Sequence, residues 1–309
     1  MRWLDHREPV SGPLLGSIIA LGNFDGFHLG HQVVAKQAID WARKEGRPSI
    51  IATFDPHPVR HFKPDVPPFR LTTLEQRQEL YLAAGATAML VFHFDQKLSE
   101  TTAEHFLDRI LIDRIGASGV VTGDDFRFGK GAAGDVARLR ESPLEVRTVD
   151  PVMDGGKPVS SSRVREALRE GDPQEAARLL TRPFAIRGVV EHGDKRGRTI
   201  GYPTANVSIE SYLRPRYGIY AVTGRILATG QVLKGAANIG VRPQFEPPKE
   251  LLEPYFFDFS GDLYGQEIEV AFHHFLRGEA KFDSLDALTA QMAKDCERAR
   301  DLLSAAQSG

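Results

Sequence analysis

The stretch SIIALGNFDGFHLGHQ, residues 17–32, determines how the first half of the chain folds. It opens with the hydrophobic run Ser17–Leu21, which predicts a buried strand. A turn rich in glycine follows, and the pattern of residues 32–44 predicts a helix. His28 and His31 therefore stand where a strand ends and a helix begins, and their position raises the question of what two imidazoles do there.

The same alternation of strand and helix patterns continues to residue 122. It predicts βαβ units, and hence a Rossmann-like α/β domain whose parallel sheet carries helices on both faces. The predicted strands are 17–21, 49–54, 88–92 and 119–122, and the predicted helices are 32–44, 73–84 and 102–115. Ligands of such sheets bind beyond the carboxyl ends of the strands. The residues expected to meet at that rim are His28, Asp55, Pro56, His57 and Asp125.

The pattern changes near residue 183. Before this point we predict a helix after the serines at 160–162 and another over 172–180, with Asp172 as its cap. Beyond it, short strand patterns separated by Gly- and Pro-rich turns predict an antiparallel β-barrel. The predicted strands are 186–191, 218–222, 232–238, 255–259 and 267–272, and a helix over 284–303 closes the chain. We therefore predict two domains, residues 1–182 and residues 183–309.

Composition excludes several classes of protein. The 309 residues carry a net charge of −2, so no basic field indicates a nucleic-acid partner. No run approaches the ~20 apolar residues of a membrane-spanning helix, and the N-terminus lacks the apolar core of a signal peptide. One cysteine, Cys296, rules out a disulfide within the chain. We expect a cytoplasmic protein; the sequence does not reveal its oligomeric state.

The two histidines sit where an anion is favoured. Imidazoles three residues apart at a helix start face the same way, and the free N–H groups and dipole of that terminus attract negative charge. Gly22, Gly26 and Gly30 allow a phosphate to approach the backbone. The physical interpretation is a triphosphate site. A metal site and a polar turn with two satisfied histidines remain as alternatives.

The string GNFDGFHLGH resembles the Gly-x-Phe-Asp-Gly-x-His-x-Gly-His signature of the nucleotidyltransferase superfamily. Three further strings are similar to stretches of one family within it: TFDPHP (53–58), TGDDFRFGKGAAGD (122–135) and VSSSRVREAL (159–168). Taken together, nearly the whole chain resembles the bacterial bifunctional riboflavin kinase/FAD synthetase family. The resemblance implies a nucleotidyltransferase domain followed by a flavokinase barrel with a terminal helix.

The resemblance also implies roles for residues of the first half. His28 and His31 would stabilise charge on the α-phosphate of ATP and on pyrophosphate. The other residues implied to hold ATP and its phosphates are Gly22, Phe24, Asp25, Gly26, Gly30, Ser161, Ser162 and Arg165. Asp125 would lie at the nucleotide or flavin face of the rim, and Phe126 beside it would bind flavin. The serines alone also suit an ordinary helix N-cap.

A second group of candidate residues lies in GDKRGRTIGYPTAN, residues 193–206. Thr204 and Asn206 point the same way on an extended segment, and their oxygens suit Mg²⁺. The string resembles the flavokinase signature Gly-Arg-x-x-Gly-(Phe/Tyr)-Pro-Thr-Ala-Asn. This implies that Thr204 and Asn206 hold the metal on ATP while a glycine loop covers the phosphates. The implied loop residues are Gly193, Gly197, Arg198 and Gly201. Without the resemblance, an ordinary turn is the alternative.

The resemblance places a catalytic base at Glu253, in LLEPYFFDFSGDLYG (251–265). Glu253 would accept the proton of the riboflavin 5′-hydroxyl, whereas a surface glutamate on an edge strand is the alternative. Pro254 follows it and favours an extended conformation for Glu253. Arg277, in FLRGEAKF (275–282), is implied to contact flavin or nucleotide.

The function implied is the phosphorylation of riboflavin to FMN and the adenylylation of FMN to FAD, both with ATP and Mg²⁺. The small-molecule partners would be riboflavin, FMN and ATP, with no nucleic acid and no membrane. Two alternatives remain. Only one half is active, with the kinase as the weaker module, or the protein is a flavin- or nucleotide-binding regulator without turnover.

Overall fold

The computed structural model describes residues 2–191, 202–242 and 249–305. The chain divides into two compact units. The first comprises Met1–Pro67 and Thr72–Ser160, and the second comprises Pro68–Leu71 and Ser161–Gly309. The predicted boundary at residue 182 stays a prediction.

The first unit is built on a six-stranded sheet in the order β1-β4-β3-β2-β5-β6, in which every neighbouring pair is parallel. The strands are β1 (Arg2–Asp5), β2 (Ser17–Leu21), β3 (Ser49–Asp55), β4 (Ala88–His93), β5 (Ala117–Gly123) and β6 (Glu145–Val149). A small hairpin, β7 (Met153–Asp154) and β8 (Lys157–Pro158), follows. The predicted parallel sheet is confirmed.

The sequence patterns did not predict the two outermost strands of the sheet, β1 and β6. Both lie at an edge, and exposed or half-buried residues make up most of their length. The four strands between them show the near-continuous apolar runs that a sheet covered on both faces requires. Edge strands lack that run, and the hydrophobic pattern therefore does not mark them.

Helices cover the sheet. They are α1 (Leu29–Lys44), α2 (Pro58–Phe62), α3 (Leu74–Ala83), α4 (Gln96–Ser99), α5 (Ala103–His105) and α6 (Val136–Arg140), with short 3₁₀ turns at Gly12–Leu14 and Lys130–Ala132. The helix predicted over 102–115 begins as α5 and continues as a π-helix, Phe106–Arg114. Buried apolar residues form two clusters, one containing Ile19 and one containing Ile18. Adjacent residues of β2 thus point to opposite faces of the sheet.

The second unit contains a closed antiparallel barrel in the order β10-β13-β12-β11-β14-β9. Its strands are β9 (Phe184–Glu191), β10 (Asn206–Ser208), β11 (Gly218–Ile226), β12 (Val232–Arg242), β13 (Lys249–Phe256) and β14 (Glu267–Arg277). Its helices are α7 (Ser161–Glu170), α8 (Pro173–Leu180) and α9 (Leu285–Ala305). The barrel and the terminal helix are confirmed. Asp172 caps α8 as predicted, accepting a hydrogen bond from the Glu175 amide at 2.9 Å.

The strand predicted over 255–259 was wrong in its bounds, because β13 spans Lys249–Phe256. Pro254 lies within this strand, paired with Ala237 of β12, and Glu253 before it is extended as predicted. The aromatic run continues beyond the strand, and the chain turns away at Asp258, whose φ of 55° is left-handed. The hydrophobic period and the composition of the sequence do not reveal that turn, because an Asp residue adopts the left-handed conformation only occasionally.

Candidate functional site

The first candidate site is the turn between β2 and α1. His28 is the N-cap of α1, and its Nδ1 accepts a hydrogen bond from the His31 amide at 3.4 Å. The two imidazole rings stack with their centroids 3.6 Å apart, and the His31 ring meets the edge of Phe24 at 5.1 Å. His28 is only 5% exposed. The histidines therefore form a packed pair at the helix start.

The glycines and aromatic residues of this turn shape its backbone. Gly26, Phe24 and Phe27 have φ values of 82°, 48° and 46°, in the left-handed region. A Cβ on Gly30 would lie 3.2 Å from the His28 ring, so a larger residue would push on the imidazole. Gly22 packs beneath the Phe24 ring in the same way, with 3.2 Å to a built Cβ. The loop thus holds its histidines by close contact.

Asp25 points into the protein. Its Oδ1 accepts hydrogen bonds from Arg77 Nη2 at 2.9 Å and from the Thr72 amide at 3.1 Å. Arg77 also donates to Thr53 Oγ1 and to the Phe54 carbonyl. The carboxylate thereby ties the turn to α3 and β3. Arg77 is not marked by the sequence, because a lone arginine within a helix carries no motif.

Other predicted residues of the first half lie at strand ends. Asp55 ends β3, and His57 caps α2 by accepting a hydrogen bond from the Val59 amide at 3.2 Å. Beyond β5, Asp125 is exposed. Phe126 is half-buried and stacks with Phe128, with ring centroids 5.9 Å apart. These residues lie after the carboxyl ends of β3 and β5, as expected for the rim.

Ser161, Ser162 and Arg165 belong to the second unit, in the first turns of α7. Ser161 and Arg165 are half-buried and Ser162 is exposed. Arg165 donates from Nε to the Phe69 carbonyl at 2.9 Å, and its guanidinium lies 5.1 Å from the centroid of the Phe69 ring. The guanidinium therefore has a fixed position within this unit.

The second candidate site is a cavity of about 560 Å³ between one face of the barrel and α9. Thr204, Glu253 and Arg277 line it together. The remaining lining residues are Ile219, Ala236, Ala237, Asn238, Tyr255, Glu279, Ala280, Phe282, Ser284, Leu285, Leu288, Met292, Asp295 and Cys296. The lining combines polar groups with apolar residues of α9 and the barrel, which suits an aromatic ligand with a polar chain.

Strand pairing sets three lining residues of this cavity, Ile219, Asn238 and Glu253, in one row. Ile219 pairs with Asn238, and Asn238 pairs with Glu253, across β11, β12 and β13. Val207 pairs with Leu252, and continuing that register sets Asn206 of β10 level with Glu253. Directly opposite residues share one face of a sheet. Asn206 is 9% exposed and begins β10, two residues after Thr204.

Arg277 is held by an ion pair. Its Nη2 lies 2.7 Å from Asp295 Oδ2, and its Nε lies 3.1 Å from Oδ1 of the same carboxylate. In the residue after Asp295 on α9, burial raises the pKa of the Cys296 thiol to about 11. Asn238, Asp295 and Cys296 also line this cavity, and the sequence does not mark them, because they lie outside the motifs.

The described residues hold no cluster of three or more His, Cys, Asp or Glu side chains that could bind a metal. The hydroxyl of Thr204 and the amide of Asn206 offer hard oxygen donors, as Mg²⁺ prefers. Two neutral donors suit a metal that arrives on the phosphates of a nucleotide and keeps much of its water. The predicted loop residues Gly193, Gly197, Arg198 and Gly201 lie outside the described part of the chain. No helix in the described ranges combines the length and apolar character needed to cross a membrane.

Comparison with known proteins assigns each part. The FAD synthetase family matches residues 13–163, and the riboflavin kinase family matches residues 180–303. The bifunctional riboflavin kinase/FMN adenylyltransferase of Escherichia coli K12 is 37% identical over 94% of this chain and 93% of its own. The protein of that name from Listeria monocytogenes is 39% identical over 91% and 90%.

A solved structure described as a macrolide-efflux protein from Streptococcus pneumoniae shares the fold. Its TM-score is 0.87 at 31% identity, over 97% of this chain and 99% of that one. Two family matches in tandem and full-length relatives agree with the α/β unit and the barrel described above. The chain therefore belongs to the bifunctional riboflavin kinase/FMN adenylyltransferase family.

Proposed function

We propose that the barrel cavity and the β2–α1 turn are the two active sites of a bifunctional enzyme of flavin cofactor synthesis. The enzyme phosphorylates riboflavin to FMN and adenylylates FMN to FAD, using ATP each time and releasing pyrophosphate in the second reaction. The observation that carries the kinase assignment is Glu253 in one cavity with Thr204. For the adenylyltransferase it is the stacked pair His28 and His31 at a helix N-terminus.

In the kinase reaction the riboflavin 5′-oxygen attacks the γ-phosphorus of ATP, and ADP leaves. Glu253 accepts the hydroxyl proton as the oxygen attacks. The apolar residues of α9 would contact the flavin ring and exclude water, and Arg277, fixed by Asp295, would lie beside the flavin or nucleotide. Strand pairing holds Glu253 on a barrel wall, which gives the base a defined position.

In the adenylyltransferase reaction a phosphate oxygen of FMN attacks the α-phosphorus of ATP. The bond to the β-phosphate breaks, and pyrophosphate leaves. No protein nucleophile is required, so the residues position the reactants and stabilise charge. His28, His31 and the first turn of α1 would face the phosphates, supported by Ser161, Ser162 and Arg165. Asp125 and Phe126 would contact the flavin of FMN.

Both reactions need a divalent metal, and we propose Mg²⁺. Thr204 and Asn206 would hold it in the kinase site together with the phosphates of ATP. The metal supplies positive charge that offsets the charge of the phosphates. We also propose that the enzyme works in the cytoplasm. Cell fractionation followed by an assay of FAD synthesis in each fraction would test this.

One assay tests the assignment as a whole. The protein is incubated with riboflavin, ATP and Mg²⁺, and the flavins are separated by chromatography. We expect FAD, because both sites work in sequence. FMN without FAD would leave only the kinase. No product from riboflavin but FAD from supplied FMN would leave only the adenylyltransferase, and no product from either would indicate a flavin-binding regulator.

The proposed division into domains 1–182 and 183–309 has its own test. A fragment of residues 183–309 should convert riboflavin to FMN and make no FAD. A longer fragment, 161–309, should be more stable, because Gln174 of α8 contacts His274 of the barrel at 2.9 Å and the Arg216 amide donates to the Leu168 carbonyl at 2.9 Å. FAD made by either fragment would contradict the assignment.

A further inference from the structure

Asn238 is a polar residue of the kinase cavity to which the reaction described above gives no role. It lies in β12, directly opposite Glu253 of β13, and both side chains line the cavity. Its Oδ1 is buried and has no hydrogen-bond partner among the described residues. A buried acceptor without a partner is costly, so its presence in a native site calls for a ligand that completes it.

We propose that Asn238 is a riboflavin-binding residue whose Oδ1 accepts a hydrogen bond from a ribityl hydroxyl next to the 5′-hydroxyl. The proposal rests on the assignment of this cavity to riboflavin. It adds a contact that selects the sugar-alcohol chain and sets the reacting oxygen against Glu253.

The chemistry of the two substrates excludes the other donors. An amide oxygen needs an N–H or O–H, and the phosphates of ATP present only acceptors. The donors of ATP, its adenine amino group and ribose hydroxyls, lie away from the γ-phosphate that the 5′-oxygen attacks beside Glu253. Riboflavin carries donors in two places: the ribityl hydroxyls and the ring N3–H. The ring N3–H lies at the opposite end of the molecule from the 5′-hydroxyl. Since Asn238 is the cross-strand neighbour of the base, with about 4.5–5.5 Å between opposed Cβ atoms, it is within reach of the hydroxyl on C4′ or C3′.

The test measures kinase kinetics and flavin binding for the full-length wild type and Asn238→Ala. Riboflavin is compared with 4′-deoxyriboflavin and 3′-deoxyriboflavin, and binding is followed by quenching of flavin fluorescence. Ile219→Val is the matched control, since Ile219 is the other neighbour of Asn238 in the row and its side chain cannot accept a hydrogen bond. Thermal unfolding of each variant reports stability.

We expect Asn238→Ala to weaken riboflavin binding and kcat/KM by about 10- to 100-fold, with no loss of thermal stability, because the removed oxygen has no partner among the residues that the structure describes. Wild type should lose a similar factor on one deoxy analogue. On that analogue the variant should lose little more, because the same hydrogen bond is already missing. Ile219→Val should affect all three flavins alike.

Equal losses on all three flavins, or additive losses on both analogues, would overturn the proposal, as would unchanged binding of riboflavin by Asn238→Ala. Failure of the cavity assignment gives a different result. Cys296 lines the same cavity, so riboflavin would then not slow the alkylation of Cys296 in the wild type. Binding is measured without turnover, so the result for Asn238 does not depend on Glu253 acting as the base.

Discussion

Arg77 and Asp25 form an ion pair in the interior of the first unit, with 2.9 Å between Nη2 and Oδ1 and both side chains 2% exposed. The pair joins α3 to the turn that carries the two histidines. Burying two charges is costly, and such a pair persists only when further hydrogen bonds satisfy both groups. Thr72, which donates to Asp25 and accepts from Arg77 Nε, supplies them here.

The first prediction follows from this pair. Arg77→Met leaves the Asp25 carboxylate buried without its cation, so the free energy of unfolding of the first unit should fall by about 3–5 kcal/mol. FAD synthesis from FMN should fall with it, while kinase turnover remains. Urea unfolding and the two assays measure this. Arg109→Met, which breaks an exposed pair with Asp113, should cost under about 1 kcal/mol. Equal effects of the two substitutions would contradict the prediction.

The second prediction separates the two roles of His28. Asn is a good N-cap, so His28→Asn keeps an acceptor for the start of α1 but removes the imidazole. It should retain stability and yet lower FAD formation by roughly 10²–10³, the effect of losing one transition-state donor. His28→Ala should lose a similar factor in rate and about 1 kcal/mol of stability as well. His31→Ala should also lower FAD formation. The control for each variant is kinase activity, which should stay within a few-fold of wild type. Near-normal FAD synthesis by His28→Asn would contradict the prediction and leave His28 with only its role as the N-cap of α1.

The third prediction concerns the kinase base. Glu253→Gln keeps the size of the side chain and loses the proton acceptor, so riboflavin phosphorylation should slow by about 10²–10⁴. Riboflavin binding and the adenylylation of supplied FMN should be unchanged. Glu267→Gln, an exposed carboxylate on β14, is the matched control and should have no effect on rate. If Glu253→Gln keeps turnover within three-fold of wild type, another group is the base, and Asp258 and Asp262 are the next to test.

The fourth prediction uses Cys296 to report on the cavity. Its pKa of about 11, raised by burial, leaves about 100-fold less thiolate near neutral pH than a thiol at the ordinary value of 9.0. Alkylation by iodoacetamide should therefore be slow and should accelerate as the pH rises. Riboflavin should slow it further by covering the residue. Alkylation of Cys296 at the same rate with and without riboflavin would show that riboflavin does not bind in this cavity.

The fifth prediction concerns acid stability and His6. Burial, with a smaller effect of His93, lowers the pKa of His6, and its Nδ1 accepts a hydrogen bond from the His93 amide at 3.1 Å, which requires the neutral ring. As pH falls below about 6.5, the unfolded chain binds a proton that the folded chain does not, so stability falls in that window. His6→Gln keeps an acceptor without titrating, so its unfolding free energy should fall less between pH 7 and 5. Identical pH slopes for both proteins would contradict this.

Sequence reasoning predicted the architecture well because both units have strong periodic patterns. The continuous apolar runs of β2, β3 and β4 mark strands buried on both faces, and Asp172 followed by Pro173 marks the start of α8. Edge strands and the turn at Asp258 were missed, because their conformations depend on neighbours distant in sequence.

The residues of the candidate sites also fall into those that the sequence predicts and those that it does not. Residues in contiguous strings, such as His28 and Thr204, could be named in advance. Arg77 and Asn238 could not, since each acquires its partner only through the fold: Arg77 lies 52 residues from Asp25, and Asn238 faces Glu253 only through the register of two strands. A single sequence carries no information about such pairs.

The row formed by Ile219, Asn238 and Glu253 has a consequence for how this enzyme can change. Main-chain pairing fixes the spacing of these three positions. Exchanging one side chain therefore leaves the backbone positions of the other two unchanged. Single substitutions at these positions can therefore change which sugar alcohol the site prefers, one contact at a time, while the barrel strands that carry them stay the same.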